Sequence, residues 1–225
     1  MLIDRVASKN VREAGPRRDL VREGDAPRAV NLILEGWACC YKQLPDGRRQ
    51  VTSFLVPGEF GDANVFILRD MGHSVGAITR VRYAEISPAD FEALMDESPN
   101  LARALWWHAL VTAEVQREWT LNVGQRTAYE RIAHLMCEMF LKLRTAGLTR
   151  HDGCDWPLTQ ADLADATGLT SVHVNRTLQA LRRDGLIALQ SRRLTIPNLD
   201  ALMAAGLFNP NYLHFDGDEE LAAAQ

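Results

Sequence analysis

The chain has no apolar run near the roughly 18 residues that a membrane-spanning helix requires, so no transmembrane segment is expected. Its first ten residues, MLIDRVASKN, carry charge within the first five and contain no apolar core. No secretion signal is expected either, and a cytoplasmic location is the default. Cysteine is scarce. The four present, Cys39, Cys40, Cys137 and Cys154, form no C-x-x-C pair, and the adjacent Cys39 and Cys40 do not read as a structural disulfide. Free thiols in a reducing compartment are expected. Catalytic signatures are missing as well: the six histidines are scattered, and neither G-x-S-x-G nor a P-loop occurs. The chain is therefore not expected to be an enzyme.

An excess of positive charge is also lacking. The net charge of −4 argues, taken whole, against a nucleic-acid partner, but its distribution argues the other way. Residues 1–124 hold 15 Lys/Arg against 17 Asp/Glu, and residues 197–225 hold none against 5. Within 171–196 stand Arg176, Arg182, Arg183, Arg192 and Arg193, opposed only by Asp184. Charge focused this way can present a basic face on an acidic chain.

The first half is punctuated by Gly24, Gly36, Gly47 and Gly58, each in a turn-like context, with short β-forming stretches such as AVNLIL, WACCY and QVTSFLV between them. SVGAIT and RVRYAEIS follow in the same style. Short apolar runs between regular turn signals predict a sandwich or barrel. Ser87 before Pro88 then predicts a helix N-cap with proline in the first helical position. From Pro99 a long stretch lacks glycine and proline, and Leu101, Leu105, His108, Thr112, Val115 and Trp119 recur close to coiled-coil spacing. That stripe fits either a subunit interface or packing against the β domain. Asn122-Val123-Gly124 reads as a hinge, before a helix that starts near Thr127 and closes on Lys142, Arg144 and Gly147.

The second half carries a sharper pattern. PLTQADLADATGLTSVHVNRTLQALRRDGLIAL predicts two helices, the first opening on Thr159 and Asp162 in a variant capping box and stopping at Gly168. Thr170 is placed to cap the second, and Gly185 ends it. LIALQSRRLTIPN then predicts a short hairpin tipped by Ser191, Arg192 and Arg193. Two helices, a tight turn and a basic hairpin make a winged helix-turn-helix. On a helical wheel Val174, Leu178 and Leu181 share the core side, while Val172, Arg176, Gln179 and Arg183 lie about 140–200° away. Ser171 and Asn175 flank that outer face on one side and His173 on the other. The combination predicts a DNA-reading surface.

Taken together, the chain resembles the CRP/FNR family of bacterial transcription regulators over nearly its whole length. VREGDAP, LILEGWA, LPDGRRQ and PGEFGD carry the likeness in the β half, and ERIAHLM with LTQADLADATGLTSVHVNRTLQALRRDGLI carries it in the second. The resemblance implies an α+β chain. Residues 1–124 would form a jelly-roll-like β-roll sensor domain with a dimerisation helix over about 99–121. Residues 125–225 would form the winged helix-turn-helix domain. It implies a homodimer on a near-palindromic double-stranded DNA site, with RNA polymerase as a further partner. Arg176 stands where the family's recognition helix hydrogen-bonds guanine. Where many members have a glutamate, this chain has Val172, which fits either contact with a thymine methyl or a plain surface valine. His173 and Asn175 are placed to reach bases or phosphates. Gln160, Thr170, Ser171, Gln179, Arg192 and Arg193 complete the expected DNA-contacting set. A rival reading keeps a cyclic-nucleotide-type sensor module that acts through protein partners without DNA.

For the effector pocket, the resemblance points to Gly61, Asp62, His73 and Ser74. Cyclic-AMP-binding members pair the cyclic phosphate with an arginine where this chain has His73, and histidine is mostly neutral at pH 7. Cyclic AMP is therefore not expected to bind. Iron–sulfur members use N-terminal cysteines, and none precedes Cys39, so no cluster is expected. For haem only His73 stands out as a ligand. HDGCD at 151–155 resembles a metal motif faintly but reads better as a turn before Trp156.

Overall fold

The glycines spaced along the first half stand at chain reversals. Gly24, Gly36, Gly47 and Gly58 all have φ between 82° and 95°, a conformation that costs other residues. Gly36 has a second reason to be glycine: a Cβ there would lie 2.1 Å from the Arg80 carbonyl oxygen. The computed structural model describes residues 2–61 and 68–215. It divides into two units, Met1–Ala113 and Glu114–Gln225.

The described part of the first unit begins with α1 (Leu2–Ala7), followed by strands β1 (Val11–Ala14), β2 (Asp19–Val21), β3 (Val30–Glu35), β4 (Ala38–Gln43), β5 (Arg49–Leu55), β6 (Ser74–Ala77) and β7 (Val81–Ile86). They pair antiparallel in two sheets, β1-β7-β3 and β2-β6-β4-β5. One apolar cluster draws Ile33, Val81 and Tyr83 from the first sheet and Ala38, Cys40, Leu55, Val75 and Ala77 from the second, so the sheets face each other across it. The alternate residues Leu32, Ala84 and Ile86 turn to the other side of the first sheet. There they meet Val6 and Ala7 of α1, Phe91 and Leu94 of α2 (Pro88–Glu97), and Leu105 of α3 (Pro99–Gln125). Ser87 caps α2 through the Asp90 amide, with Pro88 in the first turn as expected.

In the second unit α4 (Ala128–Thr145) is the spine. Ile132 through Leu141 are all buried, as befits a helix covered on every side. It packs against α5 (Gln160–Thr167), α6 (Ser171–Arg183) and α7 (Leu199–Ala205). A small sheet of order β10-β11-β9-β8 completes the fold, from β8 (Thr149–Arg150), β9 (Gly153–Asp155), β10 (Ala188–Gln190) and β11 (Arg193–Thr195). A buried polar cluster ties the end of α3 to α4. Trp119 Nε1 donates to both Glu138 carboxyl oxygens at 2.9 and 3.0 Å, and the Tyr212 hydroxyl donates to Glu138 at 2.7 Å. His134 Nε2 lies 3.1 Å from that hydroxyl, while Arg126 donates to Glu118 at 2.6 Å.

One expectation is corrected here. Asn122-Val123-Gly124, expected as a hinge, is helical, and α3 runs unbroken to Gln125. The chain leaves the helix at Arg126 and Thr127, and Thr127 opens α4 in a capping box with Glu130. Most of the stripe on α3 points inward, although its Thr112 is exposed. Leu105, Val115 and Trp119 are buried within the chain, and His108 packs edge-on against Phe60. The exposed apolar side lies opposite on the helix, with Trp106 at 71%, Leu110 at 67% and Leu121 at 46% exposure. HDGCD supplies the β8–β9 turn with His151 and Asp152 and then strand β9 itself, and no three metal-ligating side chains gather among the described residues.

Candidate nucleic-acid interface

The recognition surface is built from its caps upward. Thr159 Oγ1 accepts from the Asp162 amide, and Asp162 accepts back from the Thr159 amide at 2.9 Å, so the variant capping box forms with aspartate in the third place. Gly168 closes α5 in the left-handed conformation, φ 65° and ψ 28°. Arg131 of α4 holds the turn from behind by donating to the Thr167 carbonyl at 2.6 Å. Thr170 caps α6 through the His173 amide at 3.2 Å. Val174, Leu178 and Leu181 anchor α6 in the core, joined by Thr177, which the wheel does not pick out.

The outer face of α6 presents Ser171, Val172, His173, Arg176, Gln179 and Arg183, all exposed, with Asn175 half-buried at its edge. Val172 is 63% exposed. Gln160 is exposed at the start of α5, so the N-terminal ends of both helices carry outward polar groups. Free amides at such ends favour phosphate oxygens. At the far end, Asp184 accepts from the Tyr129 hydroxyl at 2.6 Å. Burial, together with that bond, pushes the tyrosine up to about 12. The one acid in the Arg-rich segment is thereby tied to α4.

The wing forms as a two-residue hairpin. Gln190 pairs with Arg193, leaving Ser191 (φ 48°) and Arg192 (φ 59°) both left-handed at its tip. That geometry usually takes Asn-Gly, so this pair carries local strain. Arg192 is exposed at the tip. Arg193 is drawn back: its guanidinium lies over Gly153 and donates to the Arg150 carbonyl at 3.2 Å. Arg182 donates to the Leu189 carbonyl at 3.3 Å, fastening α6 to the wing. The structure thus brings Thr170, Ser171, Val172, His173, Asn175, Arg176 and Gln179 onto one helix. Arg192 stands forward on the wing, and Arg193 props it. The supports Tyr129, Arg131 and Arg182 carry no sequence motif of their own.

The effector residues are less coherent. Asp62 lies outside the described residues. Gly61 donates its amide to the Asn31 carbonyl at 2.8 Å. Ser74 is buried and already occupied, accepting from the Glu23 amide at 3.0 Å and facing the Tyr41 hydroxyl. His73 is half-buried, with Nε2 enclosed and no hydrogen-bond partner among the described residues. Cys154 does have a cation nearby, which sequence alone does not show, because β11 brings Arg193 beside it. Burial outweighs that charge and pushes the thiol up to about 12, so it stays protonated near neutrality.

Comparisons with known proteins agree with this geometry. The family described as a cyclic nucleotide-binding domain matches residues 11–98, and the Crp-like helix-turn-helix domain matches residues 130–205. The transcriptional activator protein FnrL of Cereibacter sphaeroides is 31% identical over 180 residues, covering 79% of this chain and 72% of the relative. The nitrogen fixation regulation protein FixK of Bradyrhizobium diazoefficiens is 33% identical over 171 residues, 74% of this chain and 69% of the relative. The solved structure of FixK2 from Bradyrhizobium japonicum superposes with a TM-score of 0.76 at 23% identity, covering 87% of this chain and 96% of that one. No described helix is long and apolar enough to cross a membrane.

Proposed function

The chain belongs to the CRP/FNR family of transcription regulators, as a DNA-binding protein of that type, and we propose that it acts as a homodimer on a near-palindromic promoter site. The observation that supports the dimer is the outward side of α3. Trp106, Leu110 and Leu121 are exposed on one side of a 27-residue helix whose other side is already buried. A second copy of the same helix would cover that stripe, as a two-fold interface pairs like with like. Two recognition helices would then reach successive major grooves about 34 Å apart. Leu110→Glu is expected to weaken the dimer about a hundredfold, since it removes two buried leucines and adds two charges. Sedimentation analysis checks this, and a dimer of unchanged strength would overturn the assignment.

The effector under this reading is something other than cyclic AMP, or none at all. Its support is His73 in place of a fixed cation, beside a Ser74 whose hydroxyl is engaged with Glu23 and Tyr41. Calorimetric titration with cyclic AMP is expected to give no saturable heat; micromolar binding would contradict the reading. RNA polymerase is the further partner that activation would require.

A further inference from the structure

Large apolar side chains stand exposed at few places in the second unit, and one of them is in the middle of the DNA face. Val172 is 63% exposed on the first turn of α6 and is not among the residues that the helix buries in the core. Local energetics do not favour valine at this position. A β-branched residue lowers helix propensity, and helix N-termini favour acids. Four other helices follow that rule, with Asp90, Glu130, Asp162 and Asp200 in their first turns, whereas α6, like α3, has no acid there. A carboxylate at this turn would meet phosphate repulsion and would seek a cytosine amino group; valine can do neither.

We propose that Val172 reads a thymine through its 5-methyl group and is a specificity-determining residue of the half-site. The thymine methyl is the one apolar feature that a base pair offers in the major groove. Val172 precedes Arg176 by one helical turn and lies about 40° from it around the axis, so the two side chains share the same outward face. Four residues advance about 6 Å along a helix. Base pairs are stacked about 3.4 Å apart, so the thymine lies within one or two base pairs of the guanine bound by Arg176. His173 and Asn175 flank this pair and supply polar reach, but they do not line the methyl's position.

This inference rests on α6 being the DNA-reading helix, and the test keeps the two apart. Bound sequences are first selected from random DNA with the full-length protein. Each thymine of the selected half-site is then replaced by deoxyuridine, which removes only the methyl group. With the wild type, one such replacement near the guanine is expected to weaken binding about fourfold per half-site, the worth of one buried methyl. Val172→Ala is expected to lose that sensitivity while keeping the salt dependence of binding, because phosphate contacts are unchanged. Indifference to deoxyuridine at every thymine overturns the proposal, as does a methyl effect that persists in Val172→Ala. If Arg176→Ala also bound like the wild type, the reading of α6 itself would fail; if only the methyl effect is missing, the thymine inference alone fails.

Discussion

Arg176→Ala is expected to remove site-specific DNA binding while leaving the fold intact. Arg176 is exposed on the outer face of α6 and makes no hydrogen bond or ion pair with another described residue. Its loss therefore costs stability no more than about 0.5 kcal/mol. A bidentate arginine–guanine contact is worth roughly 1–3 kcal/mol. A dimer makes it twice, so affinity for the selected site falls by about 2–6 kcal/mol, a factor between about thirty and about twenty thousand. What remains should be weak, sequence-indifferent binding that fades steeply with salt, carried by Arg183, Arg192 and the helix N-termini. Fluorescence anisotropy on selected and scrambled duplexes checks this. An undiminished preference for the selected duplex would sink the assignment of Arg176.

The second large effect lies behind the interface, in the buried cluster around Glu138. Glu138→Leu keeps the volume but leaves the Trp119 Nε1–H and the Tyr212 hydroxyl without their acceptor in a site about 1% exposed. Each stranded buried donor costs about 1–3 kcal/mol, so the second unit is expected to lose about 3 kcal/mol. Glu138→Gln retains one carbonyl acceptor and should lose about half as much. The same cluster makes this unit sensitive to acid. Burial, aided by the neighbouring Arg126 guanidinium, pulls His134 down to about 3, so it stays neutral in the fold at pH values where the unfolded chain would bind a proton. Stability is therefore full above about pH 6.5 and is lost at up to about 1.4 kcal/mol per pH unit as pH falls toward 3. Denaturant unfolding at pH 7 and pH 5 reads both effects. A Glu138→Leu protein as stable as the wild type, or a pH profile that His134→Gln leaves unchanged, would contradict this account.

What could be read from the sequence was what local chemistry dictates. The left-handed turns demanded glycine at Gly24, Gly36, Gly47 and Gly58. The capping residues Ser87, Thr159 and Thr170 marked helix starts, and the spacing of Val174, Leu178 and Leu181 told the inner face of α6 from its outer one. What stayed hidden depends on partners distant in sequence. β1 is a nearly wholly exposed strand, VREA, that owes its form to pairing with β7. Two apolar stripes run along α3, and periodicity alone does not say which one the chain covers itself; Leu105 and Val115 turn inward while Trp106 and Leu110 stay out. Arg131 reaches Thr167 and Tyr129 reaches Asp184 only once α4 lies against the helix-turn-helix. The hydrogen bond from Arg193 to the Arg150 carbonyl likewise exists only because β9 and β11 pair.

We propose that α6 reads a two-fold DNA site. Selection of bound sequences from random duplexes, run in parallel with the wild type and Arg176→Ala, tests it most directly. The wild type should enrich a near-palindrome whose half-sites are one helical turn apart, each with a guanine, and Arg176→Ala should enrich nothing in common. Recovery of the same motif by both proteins, or of no motif by the wild type, would contradict the claim.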